Sequence, residues 1–490
     1  MKKSSVLLIN LPSQSVRQPE EHCGIAMLDA YLTSKNIKSE ILDSYALNYS
    51  IDETKKQILK WVERNSSYRC IIGLSLFVTN HHSFVEICKY VKSIFADIEI
   101  VAGGHYASLN KELLMKKYNF LDAIIVGEGE QTLYNFVTSA KDVELKGVFC
   151  RNYKYVPAER IINLDALPFQ SRYLTVEQLK GQPFSIHTSR GCYGECAFCS
   201  ISSFYNIHSK QIRQTFRSAE SVASEIKLLV KKYGIKNIKI VDDNFFRGNN
   251  NAFLYELVDL LKGTDVSFRL SARPNDITIE RGKLLKELNV KVIAIGVETT
   301  HEESLKLFNK GIQLNDSLNA IAILNSNNIT CLANFIMFTP VIDVEGLKKN
   351  LDFIKNHATK CLFHRINSHL WIRATDPIVD ALFKMGLCEK VGFPYLKCKY
   401  KSSSVYEIKK MFDMWCEPTM NLYYENVDVL MALGIEDNVS RFQMYLKMIN
   451  EDIGILYHLI DLAEQNVLHE EGEKFIREKL VEVGYSEREK

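Results

Sequence analysis

Three cysteines near the middle of the chain have the spacing of a metal-binding loop. Cys192, Cys196 and Cys199 lie within eight residues, in the run Cys-Tyr-Gly-Glu-Cys-Ala-Phe-Cys. A loop this short can direct three thiolates towards one iron–sulfur cluster. A [4Fe–4S] cluster has four irons, so three cysteine ligands leave one iron open to bind another molecule.

A structural zinc site and a chance grouping of thiols are the two alternatives to a cluster. Zinc would need a fourth ligand, and the neighbouring sequence offers only His187 and His208. Chance grouping is an alternative because the chain contains twelve cysteines. We favour the cluster, since Gly191 and Gly194 let the backbone turn sharply beside the ligands.

Length and composition describe an ordinary globular protein. The 490 residues are 46% apolar and 24% charged, with a formal net charge of +2. This length predicts two or three domains, and the charge balance gives no electrostatic case for nucleic acid. No apolar segment is long enough to cross a membrane, and the apolar run at the N-terminus is too short for a signal peptide. Many cysteines without such a signal predict a reducing, cytoplasmic location.

The first 140 residues predict a parallel, doubly wound α/β sheet. Apolar runs of β type alternate there with amphipathic stretches. Such sheets bind ligands at the carboxyl ends of their strands. The predicted strands are Val6–Asn10, Glu40–Asp43, Cys70–Leu76, Ile98–Gly103 and Asp122–Val126, and helical patterns between them include Ile25–Thr33, Ile51–Arg64, Ser83–Phe95 and Gln131–Ser139.

A second β/α series follows residues 141–182, an irregular stretch that reads as a linker. Six predicted strands describe a partial, open (β/α)6 barrel, and the cysteine loop follows its first strand. Beyond about residue 400 only helical patterns remain, and the charged tail 470–490 is expected to be solvated. The six strands are Phe184–Thr188, Ile238–Val241, Phe268–Ser271, Val292–Val297, Cys331–Phe338 and Cys361–Ile366, and the late helices are Val405–Met414, Asp437–Met448 and Glu451–Asn466.

The cysteine motif resembles the signature of the radical S-adenosylmethionine (SAM) superfamily. The spacing C-x3-C-x2-C, with Phe198 before the third cysteine, carries the resemblance. It implies that the open iron of a [4Fe–4S] cluster binds SAM. An electron then cleaves SAM to a 5′-deoxyadenosyl radical that takes hydrogen from the substrate.

Motifs on both sides of the cysteine loop resemble the cobalamin-binding radical SAM enzymes. The resemblance covers roughly residues 1–385. It implies a Rossmann-like B12-binding domain at 1–140, a linker at 141–182, a radical SAM partial barrel at 183–390 and a helical C-terminal region at 391–490. The motifs that carry it are Val6-Leu-Leu-Ile-Asn, Gly24-Ile-Ala-Met-Leu-Asp-Ala-Tyr-Leu, Ile72-Gly-Leu-Ser, Ala102-Gly-Gly-His, Val126-Gly-Glu-Gly-Glu, Asp242-Asp-Asn-Phe, Ala272-Arg-Pro, Gly296-Val-Glu-Thr and Leu307-Phe-Asn-Lys-Gly.

In the N-terminal domain, the strand ends supply the candidate cobalamin contacts. Tight βα turns are the alternative explanation of their glycines. The loop from Leu11 to Gly24 lacks the Asp-x-His-x-x-Gly pattern that ligates cobalt, so the resemblance implies base-off cobalamin without a histidine ligand. His105 is not expected to ligate cobalt. The candidate contacts are Ser75, Thr79, Gly103, Gly104, Gly127 and Glu128.

In the barrel, four strand-end side chains and Phe198 are candidates for contacting SAM. Asp242 and Asp243 could accept hydrogen bonds from its ammonium group, or cap the next helix. Arg273 could pair with its carboxylate, or with a surface acid. Glu298 could bind a ribose hydroxyl, or pair with a buried arginine or with backbone. Phe198 could pack on the adenine or in the core.

Cys388, Cys398 and Cys416 raise the question of a second cluster. Their intervals are loose, and buried free cysteines are common. We therefore predict unlinked thiols there.

The resemblance implies a radical SAM enzyme, with cobalamin-dependent methylation of an unactivated carbon in specialised metabolism as the first hypothesis. Oxidation, rearrangement or ring closure without methyl transfer is the alternative. A small molecule or peptide is the expected substrate, and a flavodoxin- or ferredoxin-type protein is the expected electron donor. A third hypothesis is a non-catalytic protein with structural cysteines.

Overall fold

The structure is a computed structural model that describes residues 3–13, 20–140, 143–179, 182–207, 211–392, 395–436 and 438–485. His208 lies outside these residues. The chain forms two compact units. The first contains Met1–Tyr193, Ser200–Asp243 and Asp259–Asp265, and the second contains Gly194–Cys199, Asn244–Val258 and Val266–Lys490.

The first unit begins with a six-stranded sheet flanked by helices. Its strand order is β2-β1-β3-β4-β5-β6, in which the first five strands are parallel and β6 runs antiparallel to β5. The elements are β1 (Ser4–Asn10), α1 (Cys23–Ser34), β2 (Lys38–Asp43), α2 (Ile51–Arg64), β3 (Arg69–Ser75), α3 (His81–Ile94), β4 (Glu99–Gly103), α4 (His105–Leu109), α5 (Lys111–Lys117), β5 (Ala123–Ile125), α6 (Glu130–Thr138) and β6 (Val148–Phe149).

Apolar burial and local capping explain why this sheet forms. Six consecutive residues of β1 are buried, as expected for a parallel strand covered on both faces. Ser50 and Glu53 form a reciprocal capping box at the start of α2, which satisfies two backbone N–H groups. The carboxyl ends of β1, β3, β4 and β5 therefore form one edge at which a ligand can bind.

The rest of the first unit surrounds the start of the cysteine loop. β7 pairs with β10 in parallel, and β8 forms an antiparallel pair with β9. The elements are β7 (Phe184–Ile186), β8 (Ser189–Gly191), α7 (Ser200–Asn206), β9 (Gln214–Phe216), α8 (Ala219–Tyr233) and β10 (Asn237–Ile240).

The second unit contains four parallel strands in the order β11-β12-β13-β14. The elements are α9 (Ala252–Leu261, ending in the first unit), β11 (Ser267–Ala272), α10 (Ile279–Glu287), β12 (Val290–Glu298), α11 (Glu302–Phe308), α12 (Leu314–Ser326), β13 (Thr330–Phe335), α13 (Val344–His357), β14 (Cys361–Phe363), α14 (Ile378–Lys384), β15 (Cys388–Gly392), β16 (Tyr395–Cys398), α15 (Ser403–Leu433), α16 (Val439–Glu464) and α17 (Leu468–Glu482).

All eleven predicted strands are present, and the fold is the expected α/β arrangement followed by a helical C-terminal region. The strands β6, β8, β9, β15 and β16 were not predicted, because their sequences lack a longer apolar run or an alternating apolar pattern. Residues 437–466 were predicted as two helices, but α16 is continuous from Val439 to Glu464. The tail is not simply solvated, since α17 buries Leu468 and Ile476.

The prediction of unlinked thiols near the C-terminus is wrong for two of the three. Cys388 and Cys398 form a disulfide between β15 and β16, while Cys416 is a buried free thiol. The pairing depends on strand register, which the spacing did not reveal. No helix among the described residues is both long and apolar enough to span a membrane.

Candidate functional site

A cavity of about 390 Å³ lies at the carboxyl edge of the first sheet, within the first unit. Its volume falls in the range typical of small-molecule and cofactor sites. Most of its lining is apolar or glycine. Of the candidate cobalamin contacts, Thr79 is exposed and does not line the cavity, whereas the other five do, namely Ser75, Gly103, Gly104, Gly127 and Glu128.

Glycine backbone shapes the rim of this cavity. Gly104 has φ +92° and Gly127 has φ +82°, conformations that residues with a Cβ rarely adopt. A Cβ at Gly73 would lie 2.9 Å from the Leu8 side chain. The glycines therefore allow both tight turns and close packing against the backbone. A large flat group such as a corrin can lie against the backbone at these positions.

His22, at the start of α1, is a cavity residue that sequence reasoning did not assign. Its Nε2 lies 2.7 Å from the Ser75 hydroxyl, and its Nδ1 accepts a long hydrogen bond from the Ile25 amide at 3.4 Å. Burial lowers the pKa of His22. Because both ring nitrogens have hydrogen-bond partners, this histidine holds the wall of the cavity.

Another part of the cavity lining comes from elements next to the cysteine loop. Ser189, Arg190, Phe204, Tyr205 and Asp243 all line the cavity. The first two lie three and two residues before Cys192, and the aromatic pair lies on α7, which starts directly after Cys199. Thus both ends of the cysteine loop, within the first unit, reach the cavity.

Two aspartates hold the backbone that leads into the cysteine loop. Asp242 accepts hydrogen bonds from the Thr188 amide at 2.7 Å, the Thr188 hydroxyl at 2.5 Å and the Ser189 hydroxyl at 2.8 Å. Burial raises the pKa of Asp242, partly offset by these donors. Asp243 accepts from the Gly191 amide at 2.9 Å, and burial raises the pKa of Asp243 to about 6.

Gly191 is tightly enclosed at this point. Its φ is +90°, and a Cβ would collide with the carbonyl oxygen of Arg213. Only glycine fits a left-handed backbone position with this neighbour. The residue before Cys192 is therefore placed by the Asp243 hydrogen bond and by the absence of a side chain.

The central part of the cysteine loop is anchored within the second unit. The Ala197 amide donates to the Phe308 carbonyl, and the Ala197 carbonyl accepts from the Ile378 amide, each at 2.8 Å. Phe198 packs edge to face on Phe308, with ring centroids 4.9 Å apart. Its surroundings are apolar, so core packing accounts for this side chain.

The three loop cysteines form no disulfide and are partly exposed. Among the described residues, no three potential ligands are already gathered closely enough to hold a metal ion. The donor set nevertheless suits an iron–sulfur cluster, because three thiols outside any disulfide in one short loop can become thiolate ligands.

Arg273 and Glu298 lie at the ends of neighbouring strands in the second unit. The Arg273 guanidinium donates to the Cys196 sulfur at 3.5 Å and to the Lys310 carbonyl. Glu298 has φ +69° and forms a buried ion pair with the Lys310 ammonium. The partner of Glu298 is thus a lysine, which the sequence analysis had not considered, and these charges suit a zwitterionic ligand such as SAM.

Comparison with known proteins supports this description. The B12 binding domain family matches residues 13–137, and the radical SAM superfamily matches residues 186–354. An uncharacterized methyltransferase of Pyrococcus horikoshii is 28% identical over 372 residues, which cover 72% of this chain and 78% of the relative.

Two solved structures have a similar fold. The cobalamin-dependent SAM radical enzyme OxsB, with aqua-cobalamin and SAM bound, has a TM-score of 0.77 at 18% identity, covering 98% of this chain and 75% of OxsB. The radical SAM methyltransferase TsrM of Kitasatospora setae, with tryptophan and a SAM analogue bound, has a TM-score of 0.62 at 17% identity over 80% of each chain. The chain therefore combines a B12-binding domain with a radical SAM domain, in the order that the resemblance implied.

Proposed function

We propose that the protein is a cobalamin-dependent radical SAM methyltransferase that methylates an unactivated carbon of a small molecule. One observation carries the proposal: the glycine-rimmed cavity is also lined by Ser189 and Arg190, which lead into the cysteine loop. A cofactor in that cavity lies beside the start of the loop that would hold the cluster. The similar methyltransferase of Pyrococcus horikoshii supports methyl transfer.

Each set of residues has a distinct task in this proposal. Cys192, Cys196 and Cys199 would hold a [4Fe–4S] cluster, which when bound supplies the electron for SAM cleavage. Gly103, Gly104 and Gly127 would give a corrin access to the backbone.

In the second unit, Arg273 would orient the SAM carboxylate beside Cys196, using its planar fork. Glu298, fixed by Lys310, would orient a ribose hydroxyl. Asp242 and Asp243 would act indirectly, by holding the backbone of residues 188–191.

The products test the reaction class. The chain is reconstituted anaerobically with iron, sulfide and hydroxocobalamin, desalted, and incubated with SAM and a strong reductant. We expect a retained corrinoid spectrum and both S-adenosylhomocysteine and 5′-deoxyadenosine among the products. Failure to retain corrinoid would refute cobalamin dependence, and 5′-deoxyadenosine alone would favour the non-methylating alternative.

Substrate, electron donor and location belong to the same proposal. We propose a small-molecule substrate, in view of tryptophan bound to TsrM, and a flavodoxin- or ferredoxin-type electron donor. All twelve cysteines lie in the described residues and ten of them form no disulfide, which supports a reducing cytoplasm. The boundaries at 1–140, 141–182, 183–390 and 391–490 remain our proposed domain limits.

A further inference from the structure

Three buried charged residues and one partly exposed arginine connect the cavity to the start of the cysteine loop. The Arg190 guanidinium donates to Glu128 at 3.0 Å and to Glu130 at 2.5 Å. Arg160 also donates to Glu128, at 3.2 Å. We call Glu128, Glu130, Arg160 and Arg190 the loop anchor.

The charges and burial of the loop anchor make its geometry specific. Two cations balance two anions, and side-chain exposure is 12% or less for every member. Buried ion pairs of this kind add little net stability, but removal of one partner leaves an uncompensated charge. Arg190 bridges two carboxylates with one planar fork, which a lysine cannot reproduce.

The loop anchor is also part of the cavity wall. Glu128 and Glu130 flank Gly129 at the start of α6, and all three residues line the cavity with Arg190. A ligand that presses on this turn therefore acts on the two carboxylates that hold Arg190. Arg190 lies two residues before Cys192.

A second contact follows the cysteine loop. His105, directly after Gly104, packs at a tilt against Phe204 of α7, with ring centroids 3.9 Å apart. Arg160 of the loop anchor lies 4.1 Å from the ring centroid of Tyr205. The turns that line the cavity thus contact the chain both before and after the loop.

We propose that Arg190 is a positioning residue that couples occupancy of the cavity to the order of the cysteine loop. The inference rests on the proposed function, since it takes a corrinoid as the cavity ligand. Filling the cavity fixes the turn at residues 127–130, which fixes Arg190 and hence the backbone of Cys192. By linkage, corrinoid and cluster strengthen each other's binding by the same factor, so protein with a cluster in the loop binds corrinoid more tightly than protein without one.

The test compares wild type with Arg190→Gln. The Kd for hydroxocobalamin is measured anaerobically on cluster-free and cluster-loaded protein. For wild type we expect cluster loading to tighten binding about tenfold, a common size for coupling between sites. Arg190→Gln should reduce the ratio of the two Kd values, cluster-free over cluster-loaded, to near one, and Arg190→Lys should give an intermediate ratio.

A second readout follows the cluster without reference to catalysis. Iron remaining on the desalted protein is measured after timed exposure to a chelator, with and without hydroxocobalamin. Corrinoid should slow iron loss several-fold in wild type and have no effect in Arg190→Gln. Arg69→Gln is the matched control. Arg69 is the first residue of β3 and binds both oxygens of Glu99. It lies at the end of β3 away from Ser75 and the cavity.

Glu130→Gln leaves the contact between Arg190 and Glu128 in place. It serves as the milder variant if Arg190→Gln fails to fold. An unchanged ratio in a folded Arg190 or Glu130 variant overturns the inference while leaving the proposed function standing. A ratio of one in wild type also overturns it. Wild type that retains a cluster but no corrinoid contradicts the proposed function itself.

Discussion

The carboxyl strand ends of the first sheet and those of the second unit use opposite means to prepare a ligand site. The first edge relies on missing side chains, with Gly104 and Gly127 in left-handed conformations beside an apolar cavity. The second relies on fixed charges, with Arg273 beside Cys196 and Glu298 paired with Lys310.

This difference teaches how each kind of site tolerates change. A site made of backbone space loses function when atoms are added, and a site made of paired charges loses it when atoms are removed. Substitutions of opposite character should therefore separate the two.

The largest effect should come from Cys196→Ala. Two cysteines cannot replace three cluster ligands, so we expect bound iron to fall to background and SAM cleavage to disappear. Corrinoid binding should weaken only by the coupling factor of about tenfold. Iron analysis and corrinoid titration test this, with Cys150→Ala, a partly exposed free cysteine, as the control. Normal iron content in Cys196→Ala would refute the cluster assignment.

Lys310→Met should come next, because it leaves the Glu298 carboxylate buried without its partner. Breaking a buried pair in this way costs about 3 kcal/mol. The thermal midpoint of the apo chain should fall clearly, and adding Glu298→Gln should recover part of the loss. Lys401→Met removes an exposed pair with Glu303 and should cost less than about 1 kcal/mol. An equal fall in thermal midpoint for Lys310→Met and Lys401→Met would contradict the distinction between a buried and an exposed ion pair.

Gly104→Ala should weaken corrinoid binding about tenfold or more. Alanine is strained at φ +92°, ψ 177°, by about 1–3 kcal/mol, and its methyl group changes the rim of the cavity. Gly234→Ala provides a control with φ +64° and open space around it, at the end of α8. If both variants bind corrinoid as wild type does, the rim does not contact the cofactor.

Arg273→Lys should have the smallest effect. The charge remains but the fork is lost, so we expect cluster content to be unchanged and the Kd for SAM to rise about tenfold, or 1.4 kcal/mol. Electron paramagnetic resonance of the reduced cluster, titrated with SAM, measures this. Arg269→Lys, on the same strand and partly exposed, should match wild type. An unaltered SAM titration in Arg273→Lys would remove Arg273 from the site.

Local patterns predicted much of this fold. Buried runs such as Val6–Asn10 are sufficient for a parallel strand, because both faces of the strand are covered. The strands β6 and β8 have no such run, and they form because a partner strand is near. The Cys388–Cys398 disulfide likewise depends on the register of β15 and β16.

The candidate site was predicted where a single residue type determines the geometry. Gly103 ends β4, Gly104 follows it, and Gly127 lies two residues after β5, and these positions place them at the cavity. The contacts of Arg190 could not be predicted from local patterns, because its partners lie 60 and 62 residues away in the sequence. The acids at 242 and 243 were placed correctly at a strand end, but sequence could not show that the neighbouring loop backbone uses their oxygens.

The enclosure of Gly191 has a consequence for evolvability. Every single-base change of a glycine codon that alters the residue introduces a side chain or a stop, and the Arg213 carbonyl leaves no room for a side chain. Random libraries that include this codon will consist mostly of inactive clones. Searches for variants that accept new substrates should therefore hold residue 191 constant and diversify other positions. No single-base change at this codon gives a residue that fits the start of the cysteine loop.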